Sequence, residues 1–213
     1  MVRIHSFSFN PFQENTYVLS NEQNEALIID PGMYGQAEVQ HLIAFLDENK
    51  FKPVKVINTH AHIDHILGVD AMKGAYNIPF ALHKNEKVVL ESGPMSASAY
   101  GLNFKIIPVI EEFIEEGEII HFGDSEIHCL FTPGHSPGSI SFYLPKEGIL
   151  VAGDTLFNGS IGRTDLPGGD HNTLLNSIKT QLYSLPEKTM VYPGHGPVTQ
   201  IGHEKKSNPF VKG

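Results

Sequence analysis

One cysteine in 213 residues, Cys129, excludes an internal disulfide framework and fits a reducing compartment. No uninterrupted apolar run is long enough to span a bilayer, so no membrane partner is expected. Met1-Val2-Arg3-Ile4-His5 opens straight into alternating sequence, without the charged and apolar regions of a signal peptide. These absences point to a cytoplasmic protein. Positive charge is scarce too: 15 Lys and Arg face 24 Asp and Glu, a formal net charge of −9. With no basic patch to neutralise phosphates, a nucleic-acid partner is not expected. Internal repeats and low-complexity linkers are also missing. At this length and 40% hydrophobic content, one domain spanning 1–213 is the expectation, and the oligomeric state is left open.

What the chain has is histidine, 12 in all, with three of them in Thr59-His60-Ala61-His62-Ile63-Asp64-His65. The stretch follows the apolar run Val54-Lys55-Val56-Ile57. Imidazole together with carboxylate favours a divalent transition metal over Ca or Mg. In extended backbone His60 and His62 point to the same side and can share an ion. Asp64 and His65 lie where the chain turns into a helix and can face a second one. The competing reading is a histidine-rich loop with solvated imidazoles.

The rest of the chain alternates strands and helices. Residues 2–9, Tyr17–Leu19 and Ala26–Ile29 predict a β-meander, and Val39, Leu42, Ile43 and Leu46 predict a helix up to Lys50. Pro53 is expected to punctuate before the strand leading to His60. Ile66–Ala75 predicts one helix and Ile78–Leu82 a strand, with His83 a surface or capping residue before a helical 85–91. Residues 92–103 predict a loop, either a lid over a site or a plain connection. Strands are then expected at 106–110, 119–122, 127–132, 140–144 and 149–152, a helix over Leu174–Leu182, and a last strand at 190–192. The tail from Gly202 predicts a turn or short helix anchored by Phe210. Cys129, inside a strand, is expected to be a small buried hydrophobe, and His171 a helix cap.

Several strands end in a small-residue corner bearing a ligand-type side chain: Thr132-Pro133-Gly134-His135, Ala152-Gly153-Asp154 and Tyr192-Pro193-Gly194-His195. Gly allows close backbone approach and Pro stiffens the turn, so such corners can hold side chains firmly. The donors then suffice for two metals: His60, His62 and His135 on one, Asp64, His65 and His195 on the other, and Asp154 shared. A shared carboxylate offsets the repulsion between neighbouring dications.

At these residues the chain resembles the metallo-β-lactamase fold superfamily, whose HxHxDH signature stands here as His60 to His65. Asp30 in Ile29-Asp30-Pro31-Gly32, then His135, Asp154 and His195, follow in that family's order. The resemblance implies an α/β fold, an αβ/βα four-layer sandwich of two mixed β-sheets with helices on the outer faces. Gly153-Asp154-Thr155-Leu156-Phe157, Gly162-Arg163-Thr164-Asp165 and Pro193-Gly194-His195-Gly196-Pro197 resemble the short single-domain relatives of glyoxalase II. Glyoxalase II proper carries a further carboxy-terminal helical region that contacts glutathione, and here the chain ends soon after His195, so the thiol is left open. Gly162–Asp165 also resembles the mononuclear iron persulfide dioxygenase branch. The flavodiiron branch carries Glu where His62 stands, and the commonest β-lactamases carry Cys where Asp154 stands.

The resemblance implies a binuclear metal-dependent hydrolase, a thioesterase cleaving an S-acyl thiol such as S-lactoylglutathione by a metal-bridging hydroxide. Zinc is the first candidate metal, with iron or manganese as alternatives. Asp64 and Asp154 would orient the nucleophile as well as bind metal, so no Ser or Cys nucleophile is required. Two dications against two carboxylates and a hydroxide leave the site positive, which favours an anionic small-molecule thioester. Arg163 is the candidate for its carboxylate, since guanidinium pairs with carboxylate bidentately. Pairing with Asp165 is the equal alternative for Arg163. Persulfide dioxygenation, lactone hydrolysis and a non-enzymatic metal-stabilised module are the competing functions.

Overall fold

The computed structural model describes residues 1–213, which divide into two compact units, Met1–Phe113 and Ile114–Gly213. The first unit opens with β1 (Arg3–Phe9), β2 (Glu14–Ser20) and β3 (Glu25–Ile29), paired antiparallel as the meander predicted. Helix α1 (Gln36–Glu48) then carries the chain across to β4 (Lys52–Ile57), which lies parallel to β3 and so cannot be reached by a hairpin. Leu42 and Leu46, one turn apart, are fully buried in a core shared with Phe7, Phe9 and Phe45. Burial of each such side chain contributes about 1.5–3 kcal/mol. Beyond the C-cap Asn49, Lys50 turns the chain away with a left-handed φ of 58°, which lets Phe51 N–H reach Leu46 O at 2.9 Å. Pro53 lies inside β4 rather than before it, at the register shift opposite Ala26.

The helical pattern after His65 is interrupted. Helix α2 (Ile63–Ile66) and helix α3 (Val69–Tyr76) are separate, because Gly68 donates its N–H to Pro31 O at 2.8 Å. A Cβ on Gly68 would lie 2.9 Å from Pro31 O, so glycine eases the close approach of the chain to the Asp30–Gly32 corner there. Strand β5 (Phe80–His83) pairs parallel to β4. His83 is buried rather than on the surface, and its Nδ1 accepts from Asn85 N–H at 3.3 Å. Helix α4 (Lys87–Glu91) follows, and the expected loop over 92–103 holds helix α5 (Gly93–Ala99), with Pro94 in its first turn where a missing N–H does no harm. The strand expected at 106–110 is absent. Pro108 has no N–H to give a ladder, and Ile106 and Val109 are exposed. Pairing resumes only where Glu111 N–H meets Phe80 O, before β6 (Glu112–Ile114). The sheet order is β1-β2-β3-β4-β5-β6, mixed parallel and antiparallel.

In the second unit β7 (Ile119–Phe122), β8 (Ser125–Phe131), β9 (Ile140–Leu144) and β10 (Ile149–Gly153) follow one another antiparallel. A short hairpin not foreseen from the sequence, β11 (Leu156–Phe157) and β12 (Ser160–Ile161), comes next. Helix α6 (His171–Ser177) continues as a π-helical turn through Leu182 and makes the crossover to β13 (Met190–Pro193), parallel to β10. Leu174, Ile178 and Leu182 are buried at four-residue spacing. The cap of α6 is Asp170, which accepts from Thr173 N–H at 2.7 Å, not His171. Two-residue β14 (Thr199–Gln200) leads into α7 (Ile201–Ser207). The tail is anchored by buried Val211, while Phe210 is exposed. Cys129 is buried, as expected. The second sheet, ordered β14-β13-β10-β9-β8-β7, is again mixed. No helix is long and apolar enough to cross a membrane.

Candidate metal centre

In the first unit the chain leaves β4 extended and enters α2 after His62. His60 and His62 face the same side, ring centroids 4.9 Å apart, and His65 brings its ring to 4.1 Å from His60. Asp64 Oδ2 lies 3.7 Å from His65 Nε2. His60 and His65 are buried, and His62 is half-buried.

Asp30 organises these rings. It follows β3 in a left-handed conformation, φ 49°, which a short polar residue tolerates better than most. Its carboxylate accepts Thr59 N–H at 2.7 Å, the Thr59 hydroxyl at 2.5 Å and His65 Nδ1 at 3.1 Å. The single Thr59 hydroxyl proton goes to Asp30, so the Thr59 oxygen accepts from His60 Nδ1 at 3.0 Å. Both imidazoles therefore carry their proton on Nδ1 and present a lone pair at Nε2, the form a metal binds. The loop backbone is gripped as well. Asn58 Nδ2 donates to His65 O at 2.7 Å, and Asn10 Nδ2 donates to Asp64 O and Gly32 O, both at 2.9 Å. Beneath lies Glu14, fully buried, its Oε1 3.8 Å from His65 Nδ1. Burial pushes its carboxyl well above the usual carboxylate range, against the pull of His65.

The second unit gathers His135, Asp154 and His195. Because β10 and β13 run parallel, their following corners emerge on one edge, and Gly194 N–H donates to Gly153 O at 2.8 Å. Asp154 Oδ2 sits 3.5 Å from His135 Nε2 and 3.6 Å from His195 Nε2. His135 Nδ1 donates to the Arg163 carbonyl at 2.7 Å. A carbonyl only accepts, so His135 too keeps its Nε2 lone pair. Gly162 makes this approach, for a Cβ there would collide with Asp154 O and lie 3.1 Å from His135 Nδ1. The Arg163 side chain pairs bidentately with Asp165, at 2.8 and 2.7 Å, the alternative raised for it from the sequence. That contact holds the Asp165 carboxyl down at about 2.

The donors fit metal ions. Two ligands at about 2.1 Å on a tetrahedral ion stand about 3.4 Å apart, and the Nε2-to-carboxylate separations of 3.7, 3.5 and 3.6 Å match that spacing. They are too long for good hydrogen bonds. Asp30, His60 and His65 also lie close enough to share an ion. Asp30 is better described as the group that orients them, because its oxygens already accept from Thr59 and His65. Sequence reading gave Thr59, Asn10, Asn58 and Glu14 no role. Asn58 and Thr59 adjoin the ligand loop, whereas Asn10 and Glu14 lie far from it in the sequence.

The family model described as metallo-beta-lactamase superfamily matches residues 9–195. The chain belongs to the metallo-β-lactamase superfamily. Its relatives include the probable metallo-hydrolase YqgX of Bacillus subtilis, 39% identical over 95% of this chain and 94% of that protein. Hydroxyacylglutathione hydrolase GloC of Haemophilus influenzae is 35% identical over 94% and 93%. Among solved structures, BLEG-1 B3 metallo-β-lactamase superposes with a TM-score of 0.91 at 40% identity, covering 99% of this chain and 100% of the other. TTHA1623 in a di-iron-bound form gives 0.88 at 38%, covering 97% and 100%. The two mixed sheets with their helices are thus the α/β metallo-β-lactamase fold, and in this superfamily such His and Asp groups imply divalent metal ions.

Proposed function

We propose that this metallo-β-lactamase superfamily chain is a binuclear metal-dependent hydrolase of glyoxalase II-like type, cleaving an anionic S-acyl thiol such as S-lactoylglutathione. The observation that carries the thioesterase reading is the near-full-length relationship to hydroxyacylglutathione hydrolase GloC. His60, His62 and His135 would hold one ion, Asp64, His65 and His195 the other, with Asp154 shared. Zinc is the first candidate, and the di-iron neighbour keeps iron beside it, ahead of manganese. When bound, the ions supply Lewis-acid polarisation of the substrate carbonyl and water whose pKa falls to about 7.

The chain's own groups do the rest. Asp30, directly for His65 and through Thr59 for His60, and the Arg163 carbonyl for His135 hold three imidazoles in the metal-binding tautomer. Asp64 and Asp154 accept hydrogen bonds from the attacking water and aim it at the carbonyl. Arg163 is exposed and its partner Asp165 more so. Replacing Asp165 by a substrate carboxylate therefore exchanges one solvated pair for another, which little opposes. Cys129 is no nucleophile, since burial pushes its thiol up to about 12.

A second reading, β-lactam hydrolysis, is favoured by the 40% identity to BLEG-1. Elemental analysis of purified protein, followed by S-lactoylglutathione, β-lactam and persulfide oxygen-uptake assays, separates these from persulfide dioxygenation. About two metals per chain with preferred thioester turnover is the expected result. Active protein with less than one metal, or full thioesterase activity in His62→Ala, would sink the binuclear scheme.

A further inference from the structure

Ala61 sits between the ligand candidates His60 and His62, in a segment that has run past the sheet. The ladder from β4 reaches only Asn58 N–H, bonded to Ala81 O at 3.1 Å, and β5 ends at His83. Ala61 is 1% exposed, so its N–H would be orphaned where neither strand nor water can take it. Glu86 takes it instead. Its Oε2 accepts from Ala61 N at 2.8 Å, and the whole residue is buried. Glu86 closes the 3-10 turn Lys84–Glu86 that follows β5. Because β5 pairs with β4 at Val56↔Phe80 and Ile57↔Ala81, its turn is delivered beside the metal-ligand loop. The carboxylate thus stands in for a strand that has ended, and pins the first of the two peptides that separate His60 from His62.

We propose that Glu86 is a positioning residue that fixes the His60–Ala61–His62 segment for metal binding. This rests on the reading above that His60 and His62 bind one ion together. A Glu side chain suits the task because it is long enough to carry an acceptor oxygen from the turn after β5 to the Ala61 N–H. It touches no substrate, so its effect runs through the geometry of the two imidazoles. Loss of such outer support typically weakens metal affinity about 10–100-fold.

The test titrates metal-free wild type, Glu86→Ala, Glu86→Gln and Glu86→Asp with zinc against a chromophoric chelator, records the visible spectrum of each cobalt-substituted protein, and melts each metal-free protein. Expected is a 10–100-fold weaker step in Glu86→Ala with altered cobalt bands, and near wild-type behaviour in Glu86→Gln, whose side-chain oxygen still accepts from Ala61. Glu86→Asp, one methylene too short, should fall between them, and it decides the matter if Glu86→Ala does not fold. Wild-type affinity and an unchanged cobalt spectrum in Glu86→Ala, or in Glu86→Asp if the alanine variant does not fold, overturn the proposal. So does a weakening that Glu86→Gln fails to rescue. Wild-type protein that takes up no metal overturns the metal reading itself, and this proposal with it, a result distinct from equal binding by wild type and variant.

Discussion

Replacing Asp30 by Asn tests whether the imidazole tautomers, rather than packing, govern metal binding. Asn keeps the shape, tolerates the left-handed φ of 49° and can still accept Thr59 N–H through its oxygen. Where Oδ2 accepted from Thr59 and His65, the variant offers an N–H. His65 can meet it only by accepting at Nδ1, which moves the ring proton to Nε2. The Thr59 hydroxyl, now accepting from residue 30, turns its own proton toward His60 Nδ1 and forces the same change there. Hydrogen bonds are mostly exchanged rather than lost, so metal-free stability should fall by only about 1 kcal/mol, roughly 2–4 °C for a chain this long. Metal affinity should fall about 10–100-fold, because a protonated Nε2 cannot ligate. Asp30→Ala differs: three donors lose their acceptor at about 1–3 kcal/mol each. Their effects are less than additive within one network, so its metal-free protein should melt roughly 10 °C lower. Melting of metal-free proteins, chelator-competition titration and imidazole ¹⁵N shifts read the three quantities apart. Wild-type affinity in Asp30→Asn, or unshifted His65 nitrogens, refutes the tautomer argument.

Gly162→Ala should disturb His135 and Asp154 together, since the new methyl collides with Asp154 O; a loss of about 1–3 kcal/mol and of metal content is expected by melting and elemental analysis. Buried Glu204 accepts from the Thr199 hydroxyl, Asn208 Nδ2 and Gly159 N–H. Glu204→Ala should therefore lower the melting temperature by several degrees, with Glu204→Gln milder. Cys129, its thiol raised to about 12, should resist iodoacetamide at pH 8 and react once denaturant exposes it. Arg163→Ala should raise KM for an anionic thioester more than for a neutral one, and KM and kcat unchanged from wild type for both would remove Arg163 from the substrate site.

Much of the fold was legible because its signals are local. The alternation in β1 to β3, the four-residue spacing of Leu42 and Leu46 and of Leu174, Ile178 and Leu182, and the turn residues between strands each follow from the period of one element. The same locality misled at 106–110, where a continuous apolar run contains Pro108 and meets no partner strand. It misled at 92–103 too, where small residues suited to a loop also suit a helix started by Pro94 and packed against Ile66 through Gly93. Whether a segment pairs or packs is settled by its neighbours in space, which spacing along the chain does not report.

The candidate site divides along the same line. Donor residues are chemically conspicuous, so His60, His62, Asp64, His65, His135, Asp154 and His195 stood out from type and spacing, and HxHxDH sufficed to suggest the family. The residues that support them do not stand out. Asn10, Glu14 and Glu86 are ordinary polar residues in the sequence, 25 to 54 positions from the loop atoms they touch or approach. They matter because folding buries backbone and imidazole groups that must each find a partner once water is gone. Which nitrogen of a histidine faces a metal is decided by what the other nitrogen bonds to. For His135 that partner is a carbonyl 28 residues away, and only the tertiary structure brings the two together.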